Sequence, residues 1–325
     1  MNPRPAYVSV IDPISPAIER VRTILFRPFD LGKWFVIGFS AWLAELGKGG
    51  GGGGHGGGGG GGGRYRRGDI PGQIQEAFEH ARDYVAANLH WIAPLTVFVL
   101  LVGISVALLI AWLSSRGRFN MLYCVAQNKG EFWNPWRRYR QHGNSLFAFR
   151  VILGIVWFLT AGVFLALGIG LAIASHERWG FNVLTISGIV TFGLLFISSM
   201  IVFGLIGMFT TDFVVPIMYR YTLSCRQAWR VFLDVLSDNQ GRFVLYVLFQ
   251  IIIGMVIGVL TFALACATCC IACCLFAIPY IGAVALLPFT IFRRSYSLCY
   301  LAQYGPDFCV FAPEPGEPPA DESIA

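Results

Sequence analysis

Residues 183–211 form one long uncharged and apolar stretch, VLTISGIVTFGLLFISSMIVFGLIGMFTT. A helix needs about 20 mostly apolar residues to cross the hydrocarbon of a bilayer, and this stretch is longer than that. Residues 89–113, 146–174 and 243–267 have the same apolar character. The sequence therefore predicts membrane-spanning helices and an all-α fold.

The composition of the whole chain agrees with a membrane protein. Of the 325 residues, 56% are hydrophobic and 13% are charged, whereas soluble domains carry about 25% charged residues. The net charge of +6 comes from basic residues that lie between the apolar runs. In that position they set membrane orientation and meet anionic lipid headgroups, so we expect membrane lipids and no nucleic acid as partners.

Two weaker apolar runs extend the prediction. Residues 33–46 are short and contain Glu45, and residues 275–298 follow the fifth run after a tight turn or partial break. With both included, we expect an integral membrane helical bundle of about six spanning helices. The distribution of Lys and Arg then places both termini in the cytoplasm, and we expect the bacterial cytoplasmic membrane.

The chain divides into four predicted regions. An amphipathic helix and the first span lie in residues 1–48, and residues 49–70 form a glycine-rich flexible loop, because a glycine tract loses much backbone entropy on ordering. Residues 71–305 hold the remaining bundle of about five spans. Residues 306–325, rich in proline and acidic residues, are predicted to be disordered.

A recurring unit precedes three of the spans. Each unit has a basic amphipathic segment, a polar corner with glycine and an aromatic residue, as in Ser15–Trp34, Trp136–Phe147 and Ser224–Phe243. Either an internal duplication or the ordinary requirements of a span entered from the cytoplasm explains the pattern. The amphipathic segments are predicted to lie at the cytoplasmic interface of the membrane.

The candidate binding residues are arginines with aromatic neighbours. Such clusters act as topology determinants with interfacial anchors, or as specific sites for an anionic lipid or a protein partner, and both readings stay open. The candidates are Arg137, Arg138 and Arg140 with Trp133 and Trp136, together with Arg226 and Arg230 of the amphipathic segment before span five.

Two further groups are structural or functional candidates. Asp212 lies at the end of span four, and Pro216 is expected to break the helix and free backbone carbonyls nearby. Cys269, Cys270, Cys273 and Cys274, together with Cys266, have the spacing of paired CxxC motifs but lie among apolar residues, which favours structural cysteine over acylation, redox chemistry or a metal. We expect no cofactor. Glycines in spans three and four indicate close helix packing.

The segment 212–218, DFVVPIM, the amphipathic units and the ending 296–306 resemble uncharacterised bacterial membrane proteins. These are distantly similar to the membrane domain found beside some glycerophosphodiester phosphodiesterases, whose catalytic barrel has no counterpart here. The resemblance implies a membrane module without an assigned reaction.

The leading functional prediction is a non-enzymatic membrane module that binds anionic lipid or a partner protein. No catalytic triad or zinc-binding HExxH motif is present in the sequence. A small-solute transporter or channel is the alternative, because the glycine-rich spans and three proline breaks are compatible with a path. Homo-oligomerisation stays open.

Overall fold

The computed structural model describes residues 8–46, 87–178, 183–267 and 279–311. These residues are helical, and no β-strand occurs among them. The chain forms two compact units, one of residues 54–110 and one of the remainder. The described residues of the smaller unit begin the third helix, and every contact discussed below lies within the larger unit.

The helices of the described residues are numbered in chain order. Their bounds are α1 Ile14–Phe26, α2 Leu31–Glu45, α3 Leu89–Gln127, α4 Trp133–Arg138, α5 Arg140–Arg178, α6 Val183–Phe209, a π-helical turn Thr210–Val214, α7 Val215–Tyr221, α8 Cys225–Asp238, α9 Gln240–Ala267, α10 Pro279–Ala285 and α11 Leu287–Ala302, followed by a 3₁₀ turn Pro306–Phe308.

Four helical segments of the described chain are long and apolar enough to cross a membrane. Their mean hydropathy lies between 2.4 and 2.7, and they are His90–Gln127, Arg140–Ile173, Ile186–Tyr221 and Gln240–Leu264. Many of their apolar side chains are exposed, as expected of surfaces that face lipid rather than water. The prediction of an all-α protein with membrane-spanning helices agrees with these segments.

The first and sixth predicted spans do not form such helices. Helix α2 has 15 residues, which is about 22 Å at 1.5 Å per residue and shorter than the hydrocarbon of a typical bilayer. The sixth region contains α10 and α11, which have 7 and 16 residues and are separated at Leu286. Its first residues, 275–278, lie outside the described residues. Among the described residues, four spans are therefore supported, and the first and sixth are not confirmed.

The protein core lies beyond the predicted end of the second span. Helix α3 continues to Gln127, and Phe119, Leu122 and Val125 are buried in this extension. The π-helical turn, α7, α8 and α11 pack around the same core. Aromatic rings dominate its centre, as in the parallel pair Phe213 and Phe232, whose centroids are 5.2 Å apart.

Two helices that were predicted to be amphipathic each cover a side of this core. Helix α1 buries Ile24 and Leu25 and packs against α11. Helix α8 buries Ala228 and Phe232, and the backbone N–H of Cys225 at its start donates to Ser145 Oγ of α5 at 3.0 Å. The opposite faces are exposed, and their position at the cytoplasmic interface stays a prediction.

Two sequence patterns have a different structural meaning from the one predicted. Gly143, the expected corner of the middle repeat unit, lies inside α5, so this unit has no corner there. The glycines of α5 and α6 do not all mark close packing. A Cβ at Gly168 would lie 3.5 Å from Phe192 Cβ, but a Cβ at Gly154, Gly162 or Gly204 would meet no atom within 4 Å.

Candidate functional site

Five candidate arginines lie on the surface. Arg137 and Arg138 occupy the last turn of α4, Arg140 begins α5, and Arg226 and Arg230 lie on α8. All five are exposed. Within the described chain, no carboxylate forms an ion pair with any of them. Their charges are therefore available to an external anion.

The two candidate tryptophans have different surroundings. Trp136 stacks on Phe132 with centroids 5.4 Å apart and meets Trp112 edge to face at 6.2 Å. The Arg116 guanidinium lies 4.2 Å from the Trp112 centroid, a cation–π contact. Trp133, by contrast, is 69% exposed. Trp136 thus anchors the segment, and Trp133 is free to contact lipid or protein.

The expected helix break at Pro216 does not occur, because the π-helical turn absorbs the proline. The N–H of Val215 donates to the carbonyl of Thr210 across five residues. Pro216 would make the next such bond to Thr211, but it has no N–H. The Thr211 carbonyl instead accepts a hydrogen bond from Arg294 Nη1 of α11. The proline therefore leaves a carbonyl that an arginine binds.

Asp212 of the same turn belongs to a buried polar chain. The Tyr246 hydroxyl donates to Asp212 Oδ2 at 3.1 Å, and Gln250 Nε2 donates to that hydroxyl at 2.7 Å. Tyr246 is fully buried. Since buried polar groups require partners, this chain ties the π-helical turn to α9.

Two arginines approach the turn from α3 and α5. Arg118 is only 6% exposed; its Nη1 donates to Thr211 Oγ1 at 2.8 Å, and its Nε has no hydrogen-bond partner. Arg150 Nη1 donates to the hydroxyls of Ser114 and Ser115 at 3.2 and 3.1 Å. These hydrogen bonds go to neutral acceptors, so neither arginine is neutralised by them.

These polar groups lie at the base of a cleft between α5 and α6. Its volume is about 710 Å³. The polar and charged part of the lining consists of Arg118, Arg150, Thr210, Thr211, Asp212 and Arg293. The other part consists of apolar residues and glycines, namely Leu153, Gly154, Trp157, Phe203, Gly204, Gly207 and Met208. The cleft can accommodate an anionic group beside an apolar one.

The structure brings one predicted candidate to this cleft. Asp212 lines it, whereas Pro216 and the seven surface candidates do not. Cys269, Cys270, Cys273 and Cys274 lie outside the described residues. Where the chain is described, no group of three or more His, Cys, Asp or Glu side chains is placed to hold a metal ion.

Sequence reasoning missed Arg118, Arg150 and Arg293 of the cleft and Arg294, which binds the π-helical turn. A usable signal existed for three of them, because Arg150 lies within the predicted third span and Arg293 and Arg294 within the predicted sixth. An ionisable residue inside a span is by default a functional hypothesis.

Comparison with known proteins gives a match to a protein family. Neither a curated protein nor a solved structure matches the chain, and no match links it to glycerophosphodiester phosphodiesterases. Residues 8–302 match a family of unknown function, DUF7544, which covers α1 to α11 and every residue of the cleft. Because this is most of the chain, the protein belongs to the DUF7544 family.

Proposed function

We propose that the protein is a non-enzymatic membrane module that binds anionic lipid headgroups through the exposed arginines of α4, α5 and α8. The observation that carries the proposal is the group Arg137, Arg138 and Arg140, exposed beside Trp133 and without carboxylate partners in the described chain. Arginine supplies the charge, and an exposed tryptophan is typical of the headgroup layer.

The size of the expected effect follows from the charge. One basic residue near an anionic membrane surface contributes about 1 kcal/mol, so three arginines correspond to roughly a hundredfold in affinity. We would measure the dissociation constants of phosphatidylglycerol and phosphatidylcholine for the purified protein. R137Q/R138Q/R140Q should reduce the preference for phosphatidylglycerol by about this factor, and R137K/R138K/R140K, which keeps the charge, should retain most of it.

Salt provides a second readout on the same samples. Raising the ionic strength from about 0.01 M to 1 M shortens the Debye length from about 30 Å to 3 Å. Binding of phosphatidylglycerol to the natural protein should weaken, and binding to the glutamine variant should weaken less. Equal affinity of the natural protein and the glutamine variant for phosphatidylglycerol would refute the proposal.

A protein partner is the alternative ligand of this face. Exposed Trp133 favours it, because tryptophan and arginine are enriched among residues that dominate protein interfaces. A photoreactive amino acid at position 133 would distinguish a lipid ligand from a protein ligand in living cells. Lipid adducts support the lipid proposal, and one discrete protein adduct in its place supports a partner.

Transport of a small solute is the second candidate function, favoured by the cleft between α5 and α6. A transporter must move its solute across a sealed bilayer. The natural protein should then carry a solute into liposomes, and a substitution that fills the cleft should abolish this flux.

A further inference from the structure

The cleft runs along two antiparallel helices. A Cβ at Gly168 of α5 would contact Phe192 of α6, and further towards the charged end Trp157 faces Phe203 across the cleft. Along α5 the lining proceeds from Arg150 to Trp157, seven residues or about 10 Å at 1.5 Å per residue. The charged and the apolar parts of the lining are therefore separated along the direction of the spanning helices.

The charges at the base leave an excess of cations. Arg118 interacts electrostatically with the cations Arg150 and Arg294 and with the carboxylates Asp212 and Glu45, and Arg293 adds a further guanidinium to the lining. Four arginines thus face two carboxylates. A buried guanidinium without a counter-charge is costly, so an anion at this base would be stabilised.

The apolar part of the cleft is open because three of its wall positions are glycines. A Cβ at Gly154, Gly204 or Gly207 would meet no atom within 4 Å. Trp157 and Phe203 complete the wall, and both also line a second cavity of about 230 Å³ next to the first. The apolar lining therefore continues along the helices beyond the charged base.

We infer that the cleft binds one anionic phospholipid, with its phosphate at Arg118, Arg150 and Arg293 and an acyl chain along Trp157 and Phe203. Charge complementarity selects the anionic headgroup, and the adjoining apolar walls along spanning helices select a lipid over a free anion. This site is separate from the surface arginines, so it stands or falls independently of the proposed function.

Filling the cleft tests the proposal without removing a charge. G204L and G207L should fold, because no atom lies near either Cβ and leucine favours helix over glycine. G254L and G258L on α9 are matched controls, since their Cβ positions are equally open and they do not line the cleft. Native mass spectrometry of washed, purified protein then counts the retained phosphatidylglycerol and phosphatidylcholine.

The natural protein and the α9 controls should retain one phosphatidylglycerol, and G204L and G207L should lose it. R150Q should weaken this binding about tenfold, and R137Q/R138Q/R140Q should still retain the lipid. Retention by both cleft-filling variants, or equal retention of phosphatidylcholine, would overturn the proposal. Displacement by inorganic phosphate alone would identify a free-anion site and overturn it as well.

Discussion

The membrane-length part of α6 and the π-helical turn that continues it differ in their surroundings. Leu194 and Ile201 are 62% and 58% exposed, whereas Phe213 and Val214 are fully buried. Both stretches are strongly apolar in sequence. Lipid is about as apolar as leucine, so apolar residues within the bilayer gain little by packing on one another. Protein–protein packing is therefore concentrated in the core around the turn.

This difference predicts that stability is unevenly distributed. Aromatic rings and buried polar groups hold the core, and such groups are costly to leave without partners. Substitutions there should lower the free energy of unfolding far more than substitutions on the exposed faces of α5, α6 and α9. Unfolding of the purified protein by graded denaturing detergent measures this free energy.

The largest effect is expected for Arg294→Met. This change removes the hydrogen bond to the Thr211 carbonyl and a cation close to Asp212, and breaking a buried charged contact costs about 3 kcal/mol. Arg293→Met, at the exposed neighbouring position, is the control and should cost less than about 0.5 kcal/mol. Equal losses in the two variants would contradict the assignment of Arg294 to the core.

Gly117→Ala should have the next largest effect. Its Cβ would lie 2.7 Å from backbone atoms of Leu43 and Ala44 on α2, so the two helices must separate, at a cost of about 2 kcal/mol. Gly162 lies on the exposed part of α5, and a Cβ added there would meet no atom within 4 Å. Gly162→Ala should therefore leave stability unchanged or raise it by up to about 1 kcal/mol. If both alanine substitutions changed the free energy of unfolding in the same direction, the distinction between the packed core and the exposed part of α5 would not hold.

A smaller loss, about 1 kcal/mol, is expected for Tyr246→Phe. The hydroxyl links Asp212 to Gln250, and both partners would lose a buried hydrogen bond. A double-mutant cycle with Asp212→Asn isolates the contact, because residues of one network give non-additive losses. Strictly additive losses would show that the Tyr246–Asp212 hydrogen bond contributes no stability.

The smallest effect on stability is expected for R137Q/R138Q/R140Q. All three side chains are exposed, and surface changes away from packed features stay within about 0.5 kcal/mol. A loss of lipid preference with unchanged unfolding would assign these arginines to binding alone. A large loss of stability would instead place them in the structural core.

Sequence predicted the four long spans because a stretch such as residues 183–211 differs from soluble helices in composition alone. It could not separate lipid-facing from core-facing residues, since Phe119 and Leu122 are as apolar as their neighbours in the membrane. For the same reason, the sequence does not distinguish the 15-residue helix α2 from a span. Apolar character does not reveal which partner, lipid or protein, covers a side chain.

The cleft could not be predicted from spacing. Arg118 and Arg294 reach the π-helical turn across 93 and 83 positions of sequence, and no local pattern encodes such contacts. The turn itself had a local signal, because Pro216 lacks an N–H and leaves a carbonyl without its helical partner. That signal indicated a free acceptor, but not that the chain would continue as a helix.

Helices α1 and α11 pack together although they lie at opposite ends of the sequence, so this contact can form only late in synthesis. The residues that flank the two helices are also in contact. Ser9 and Gln303 exchange two hydrogen bonds, at 2.8 and 2.9 Å, across 294 positions. At a synthesis rate of about 5–20 residues per second, α1 leaves the ribosome some tens of seconds before its packing partner exists. During that interval the apolar face of α1, with Ile24 and Leu25, lacks its partner helix and needs temporary cover.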